Sequence, residues 1–148
     1  MIITGGINKG RKVKTVETYE VRPTSSKIRQ SIFNMIQSSI THAVMLDLYA
    51  GSGIMGLEAL SRGASKVIFV EKNPAVIKIL KENLSNFNFD YEIIFSDALK
   101  ILKKFHENYF DIIFIDPPYT SNLIEPSILE ISKYKLLKYD GLIIVEHS

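Results

Sequence analysis

The chain has 148 residues, of which 46% are hydrophobic and 23% charged, and it contains no cysteine. That length and balance fit one globular domain with a real core and exclude a disordered chain. The missing thiols exclude disulfides, thiolate metal sites and cysteine nucleophiles. The net charge of +2 is unevenly spread: residues 1–30 are net +5 and the remainder net −3. A basic end on a mildly acidic body fits a polyanion held beside a site of different character, or simply a solvated terminus. Met1 to Gly10 has no long apolar run, and no stretch approaches the roughly 20 residues that span a bilayer. A cytoplasmic protein with no membrane partner is expected.

Residues 2–21 alternate loosely, with Gly5, Gly6 and Gly10 as turns and Ile2, Ile3, Val13, Val16 and Val21 as β-branched positions. A short hairpin or two is expected, ended by Pro23. Residues 1–24 thus read as a basic N-terminal hairpin extension and residues 25–148 as the main domain. A helix is predicted over 25–38, with Thr24, Ser25 and Ser26 as candidate caps and Ile28, Ile32, Phe33 and Ile36 on its apolar face. Lys27 and Arg29 lie off that stripe.

From residue 43 a repeating rhythm begins. Apolar runs at Ala43–Leu48, Val67–Val70, Glu92–Phe95, Asp111–Ile115 and Leu142–Glu146 predict strands. Helices are predicted between them, over 54–61, 74–86, 98–105 and 122–133. Nearly continuous Val, Ile and Phe alternating with helices indicates an α/β fold: a Rossmann-like, doubly wound, mainly parallel sheet covered on both faces. Crossovers should be right-handed, with the ligand at the carboxyl ends of the strands where their order reverses.

Gly51, Gly53 and Gly56 form G-x-G-x-x-G between the first strand and its helix. The pattern is weak alone, but its context is right for a cofactor loop. A dinucleotide would set its pyrophosphate on the helix N-terminus. S-adenosylmethionine would instead need close backbone and a carboxylate for its ammonium group. Asp47, just before the turn, meets that need or else orders the loop. Glu71, directly after the second strand, suits a ribose in either cofactor class, or caps the next helix. Asp97, after the third strand, suits an adenine amino group, or is an N-cap, or both.

Asp116-Pro117-Pro118-Tyr119 after the fourth strand is the sharpest signal. Two prolines stiffen the backbone and remove two donors, which holds the local carbonyls as fixed acceptors. Asp116 adds another acceptor. A primary amino group on a planar base could give both its protons here, while Tyr119 offers a flat face for a flipped base. Hydrogen bonds to both protons would hold a poorly nucleophilic exocyclic nitrogen with its lone pair aimed at an electrophilic methyl group. His42, His106 and His147 lie in unrelated segments with no ligand spacing, so no metal is expected.

Together these residues resemble the class I methyltransferases with an Asp/Asn-Pro-Pro-Tyr motif. More narrowly, the chain resembles the bacterial family that methylates guanine N2 in small-subunit ribosomal RNA. The likeness runs through Gly5-Gly6, Gly10-Arg11, Arg22-Pro23-Thr24, Arg29, Phe33-Asn34, Leu46–Gly53, Gly56–Ala64, Asp116–Tyr119 and Glu146-His147-Ser148. It implies S-adenosylmethionine contacts at Asp47, Tyr49, Gly51, Gly53, Glu71 and Asp97, and base contacts at Asp116, Pro117 and Tyr119. It places Arg11, Lys12, Arg22 and Arg29 near RNA, where phosphate contacts position rather than specify. The expected partner is ribosomal RNA or an assembling small subunit, met by a monomer. The family continues past Ser148 into two further strands, one antiparallel, so an open sheet edge is expected here. An NAD-dependent oxidoreductase would explain the glycine loop and Glu71 but not Asp116–Tyr119. A DNA adenine-N6 methyltransferase would carry the same motifs, and a catalytically silent module would keep RNA binding without turnover.

Overall fold

Alternation of apolar side chains along each strand builds two cores on one sheet. The computed structural model describes residues 1–16 and 25–146. Its strands are β1 (Val44–Asp47), β2 (Lys66–Glu71), β3 (Tyr91–Phe95), β4 (Phe110–Ile115) and β5 (Leu137–Val145). The helices are α1 (Ser26–Met35), α2 (Gln37–Ile40), α3 (Ile54–Ser61), α4 (Pro74–Ser85), α5 (Ala98–Leu102) and α6 (Ile124–Lys133). The strands lie parallel in the order β3-β2-β1-β4-β5. Met45, Val67, Phe69, Ile112 and Phe114 face α3 and α4, while their neighbours Leu46, Ile68, Val70, Ile113 and Ile115 face α5 and α6. This period of two is why the strands are apolar throughout, and each such fully buried side chain contributes about 1.5–3 kcal/mol. Among the described residues no helix is long and apolar enough to cross a membrane.

Three local expectations change. The last strand begins earlier than expected, at Leu137: Phe110 pairs with Leu137 and Ile112 with Leu142, and the irregularity between them absorbs the polar Lys138–Gly141 stretch that hides the strand in sequence. The hairpin expected over 2–21 reduces, in its described part, to one antiparallel bridge between Ile2 and Lys12. The chain leaves the ladder because the Thr4 and Gly5 N–H groups turn to the Glu58 carboxylate instead of a partner strand. The predicted helix over 25–38 is broken at Ile36 into α1 and α2, and of the Ser and Thr candidates Ser25 caps α1, accepting from the Ile28 N–H at 3.2 Å.

The buried face of α1 also differs. Arg29 and Phe33 are buried, whereas Ile28 is 54% exposed. The cause is Glu58, fully buried in α3. Its carboxylate accepts from Arg29 Nε at 3.0 Å, Arg62 Nε at 2.9 Å, Thr4 N–H at 2.9 Å and Gly5 N–H at 3.0 Å. Arg29 also donates to the Ile2 carbonyl. A buried carboxylate is tolerated only when paired and fully hydrogen-bonded. These bonds hold it ionised, below the usual glutamate range despite burial. The expectation that Arg29 contacts RNA is therefore corrected: its guanidinium is sealed inside the protein, tying the N-terminal segment and α1 to α3. That segment delivers Ile3 and Val13 to the core. It then runs to α4, where Asn83 exchanges two hydrogen bonds with the Lys14 backbone.

Candidate active site

A cavity of about 420 Å³ opens at the carboxyl ends of β1 to β5, at the reversal of strand order between β1 and β4. This is where doubly wound sheets place ligands. The loop after β1 shapes its floor. Gly51 and Gly53 both have positive φ, 56° and 87°, which glycine adopts without strain. A Cβ on Gly51 would meet nothing within 4 Å, so the loop is open on its cavity side there. Gly53 does not line the cavity; a Cβ there would lie 2.6 Å from Leu80. Gly56 lets α3 approach β2, since a Cβ would fall 2.2 Å from the Phe69 ring.

Carboxyl groups ring this floor. Asp47, almost fully buried, accepts from the Gly56 N–H at 3.3 Å. Burial pushes its pKa up to about 7, the nearby Glu71 charge adding to the rise and the Gly56 bond opposing it. Glu71 accepts from Gly51 N–H at 3.0 Å and from Lys72 and Asn73 N–H at 3.0 and 2.9 Å. Glu71 does not cap α4; Asn73 does, accepting from Ala75 and Val76 N–H. Asp97 is the N-cap of α5, Oδ1 accepting from Leu99 N–H at 3.0 Å and Lys100 N–H at 3.2 Å, and it lines the cavity as well. The Tyr49 hydroxyl lies 2.7 Å from Ser127 Oγ on α6. Ser127 gives its own proton to the Leu123 carbonyl, so Tyr49 is the donor.

The Asp116–Tyr119 loop forms the opposite wall. Asp116 is pushed up to about 8, first by burial, then by the charges of Glu146 and Asp47 and by a side-chain hydrogen bond with Glu146. The Pro118 carbonyl is not available as expected: Ser121 fills it through N–H at 2.9 Å and Oγ at 2.7 Å. Among the described residues the Pro117 carbonyl takes no hydrogen bond. Tyr119, 47% exposed, stands at the mouth.

The structure thus brings Asp47, Tyr49, Gly51, Glu71, Asp97, Asp116, Pro117 and Tyr119 around one cavity. Arg11 and Lys12 are exposed and lie outside it; Arg11 sits over the Phe87 ring at 4.6 Å and donates to the Asn86 carbonyl. Arg22 falls outside the described residues. Glu146, on the wall beside Asp116, has no role in sequence reasoning beyond its place in a motif. Ile28 and Val16 also line the cavity, and nothing local in the sequence marks them. Glu58 does carry a visible signal: it is the one charged residue in the otherwise wholly buried Ile54–Ser61.

The sign of the cavity decides between the cofactor classes. Among the described residues, five carboxyl groups, Asp47, Glu71, Asp97, Asp116 and Glu146, line it against two residues bearing ammonium groups, Lys72 and Met1 with its N-terminus. A pyrophosphate would meet like charge on every side, whereas a sulfonium with an ammonium group would relieve the burial of Asp47 and Asp116. This disfavours the dinucleotide oxidoreductase. A cavity of that sign suits the cationic cofactor of the class I methyltransferases, and the cofactor is S-adenosylmethionine. The chain belongs to the family described as Conserved hypothetical protein 95, whose model matches residues 1–148. It is 38% identical over 152 residues to YlbH of Bacillus subtilis, provisionally named an rRNA methyltransferase, covering 100% of this chain and 83% of that one. It is 36% identical to ribosomal RNA small subunit methyltransferase D of Buchnera aphidicola, covering 99% of this chain and 77% of the relative. A solved Escherichia coli structure, yhhF, provisionally named a methyltransferase, superposes with a TM-score of 0.89 at 34% identity, covering 99% of this chain and 80% of that one.

Proposed function

We propose that this protein transfers a methyl group from S-adenosylmethionine to the exocyclic N2 amino group of a guanine in small-subunit ribosomal RNA. The observation that carries this reading is the pairing of two acceptors, the Asp116 carboxyl and the Pro117 carbonyl, with the exposed Tyr119 ring beside them. The relatives, ribosomal RNA small subunit methyltransferases among them, support RNA as the substrate.

S-adenosylmethionine supplies an electrophilic methyl group on sulfur. Asp47 and the Gly51 backbone would receive its amino-acid end, Gly53 holding the turn and the Tyr49 ring walling it. Glu71 would receive its ribose hydroxyls, and Asp97 its adenine. Asp116 and the Pro117 carbonyl accept the two N–H groups of the base, and Tyr119 stacks on its face. Both protons being held, the nitrogen lone pair is oriented toward the methyl group, and rate comes from orientation and fixed dipoles. Arg11, Lys12 and Arg22, on the basic extension of residues 1–24, would hold phosphates, and the protein would act as a monomer in the cytoplasm on RNA or an assembling subunit.

The test is product analysis. The protein is incubated with labelled cofactor and small subunits or naked rRNA from cells lacking the modification, followed by nucleoside mass spectrometry. N2-methylguanosine is the expected product. Label in N6-methyladenine of DNA, or no label with retained RNA binding, would overturn the proposal.

A further inference from the structure

We propose that Glu146 is a second carboxyl of the reaction centre, taking up through Asp116 the proton that methyl transfer releases. The inference rests on the amino-group reading above and extends it to the step after transfer.

The placement comes from the sheet. β5 runs parallel beside β4, and the Glu146 N–H donates to the Ile115 carbonyl at 3.0 Å. Glu146 therefore stands level with Asp116 at the same strand end. Both line the cavity, on neighbouring strands whose register sets Ile115 beside Val145, and the Glu146 charge helps raise Asp116. Two carboxyls side by side in one cavity disfavour double ionisation, so the pair favours keeping one proton. Burial and the neighbouring negative charges favour that proton on Asp116, which keeps it to about pH 8. Asp116 then donates to Glu146 and accepts from the substrate through its other oxygen.

A protonated Asp116 alone could orient the amino group but could take no further proton. With Glu146 behind it the chemistry balances. The N–C bond forms, and the electron pair of the broken C–S bond stays on sulfur. The nitrogen, now carrying an excess proton, gives it to the facing oxygen of Asp116, while the proton Asp116 already held passes to Glu146. The carboxyl pair goes from one negative charge to none as the positive charge of the sulfonium disappears. Of the other carboxyls around the cavity, Glu71 accepts from three backbone N–H groups, and Asp97 caps α5. Asp47 lies behind, on Gly56. Tyr49 donates to Ser127. Among the described residues, Lys72, Tyr119 and Met1 with its N-terminal ammonium complete the titratable lining.

Glu146→Gln keeps size and one hydrogen bond but cannot take the proton. Carboxyl-carbon NMR of aspartate-labelled protein without cofactor, with the Asp116 signal assigned by Asp116→Asn, should show Asp116 titrating near pH 8 in the parent. In Glu146→Gln it should titrate lower by about one pH unit or more, because a neighbouring negative charge is gone. Retained binding of S-adenosylhomocysteine would show the cavity intact. Single-turnover methyl transfer should fall on the order of 100-fold, and added formate should restore part of it in Glu146→Ala, which a merely structural role would not allow. An unmoved Asp116 titration, or parental turnover in Glu146→Gln, would overturn the relay. A shifted titration in a protein whose parent makes no N2-methylguanosine would support the carboxyl pair and sink the substrate reading instead.

Discussion

Around Glu58, on α3, two guanidinium groups and two backbone N–H groups converge on one carboxylate. Around Asp116, at the end of β4, two more carboxyls, Glu146 and Asp47, bring like charge to bear on it. Both regions are withdrawn from water, yet their proton affinities move in opposite directions: Glu58 is held below its usual range, while Asp47 rises to about 7 and Asp116 to about 8. The difference separates two uses of a buried charge. The Glu58 cluster is electrostatically complete, and it fixes α1, whose Ile28 helps wall the cavity. The cavity gathers carboxyls of like charge among its described residues, which suits a positively charged cofactor.

The largest expected effect breaks the first region. Glu58→Ala leaves Arg29 and Arg62 facing each other without a counter-ion and should cost about 3–5 kcal/mol in urea unfolding. A double change, Glu58→Met with Arg29→Met, should cost less than Glu58→Ala. If Glu58→Ala were as stable as the parent, the contrast between the regions would collapse. Next comes the second region. Asp116→Asn should lower methyl transfer to RNA by about 10²–10³-fold, measured with labelled cofactor, without lowering the urea midpoint. A loss of stability comparable to that of Glu58→Ala would mean that Asp116 is structural.

Asp47→Asn sharpens the comparison through pH. Between the ordinary value of 3.8 and about 7, folded Asp47 keeps a proton that the unfolded chain has lost. Stability therefore falls as pH rises through that window. The uncharged variant should be more stable than the parent at pH 8, by up to about 4 kcal/mol, with the gap closing toward pH 4, and it should bind S-adenosylhomocysteine more weakly. Glu58 has the opposite sign: its contribution is present at neutral pH and is lost as pH falls below the usual glutamate range. Urea midpoints across pH for Asp47→Asn and Glu58→Gln should thus diverge at opposite ends; parallel curves would contradict the assignment. The smallest effect concerns exposed cations. Arg11→Ala and Lys12→Ala should each reduce the salt slope of RNA binding by about one and leave folding unchanged. Arg29→Ala should instead destabilise the fold.

The sequence by itself determined the alternating strands and helices from residue 43 onward and the cofactor loop. Parallel strands buried on both faces must be apolar at every position, so Met45-Leu46 and Ile112–Ile115 announce themselves. Asn73 and Asp97 announce the helix starts that follow them, because capping is a contact over two or three residues. Gly51 and the Asp116–Tyr119 loop are legible for the same reason: their backbone demands are local. Only the tertiary structure decided which charges are exposed. Arg29 reads as a surface cation until Glu58, 29 positions away, is brought beneath it, and the buried face of α1 turns with it, away from Ile28. Glu146 becomes a partner of Asp116 only because β5 lies beside β4. Pro118 loses its carbonyl to a turn closed by Ser121. The protonation of Asp47 and Asp116 follows from burial among like charges, a property of the assembled cavity that no single segment carries.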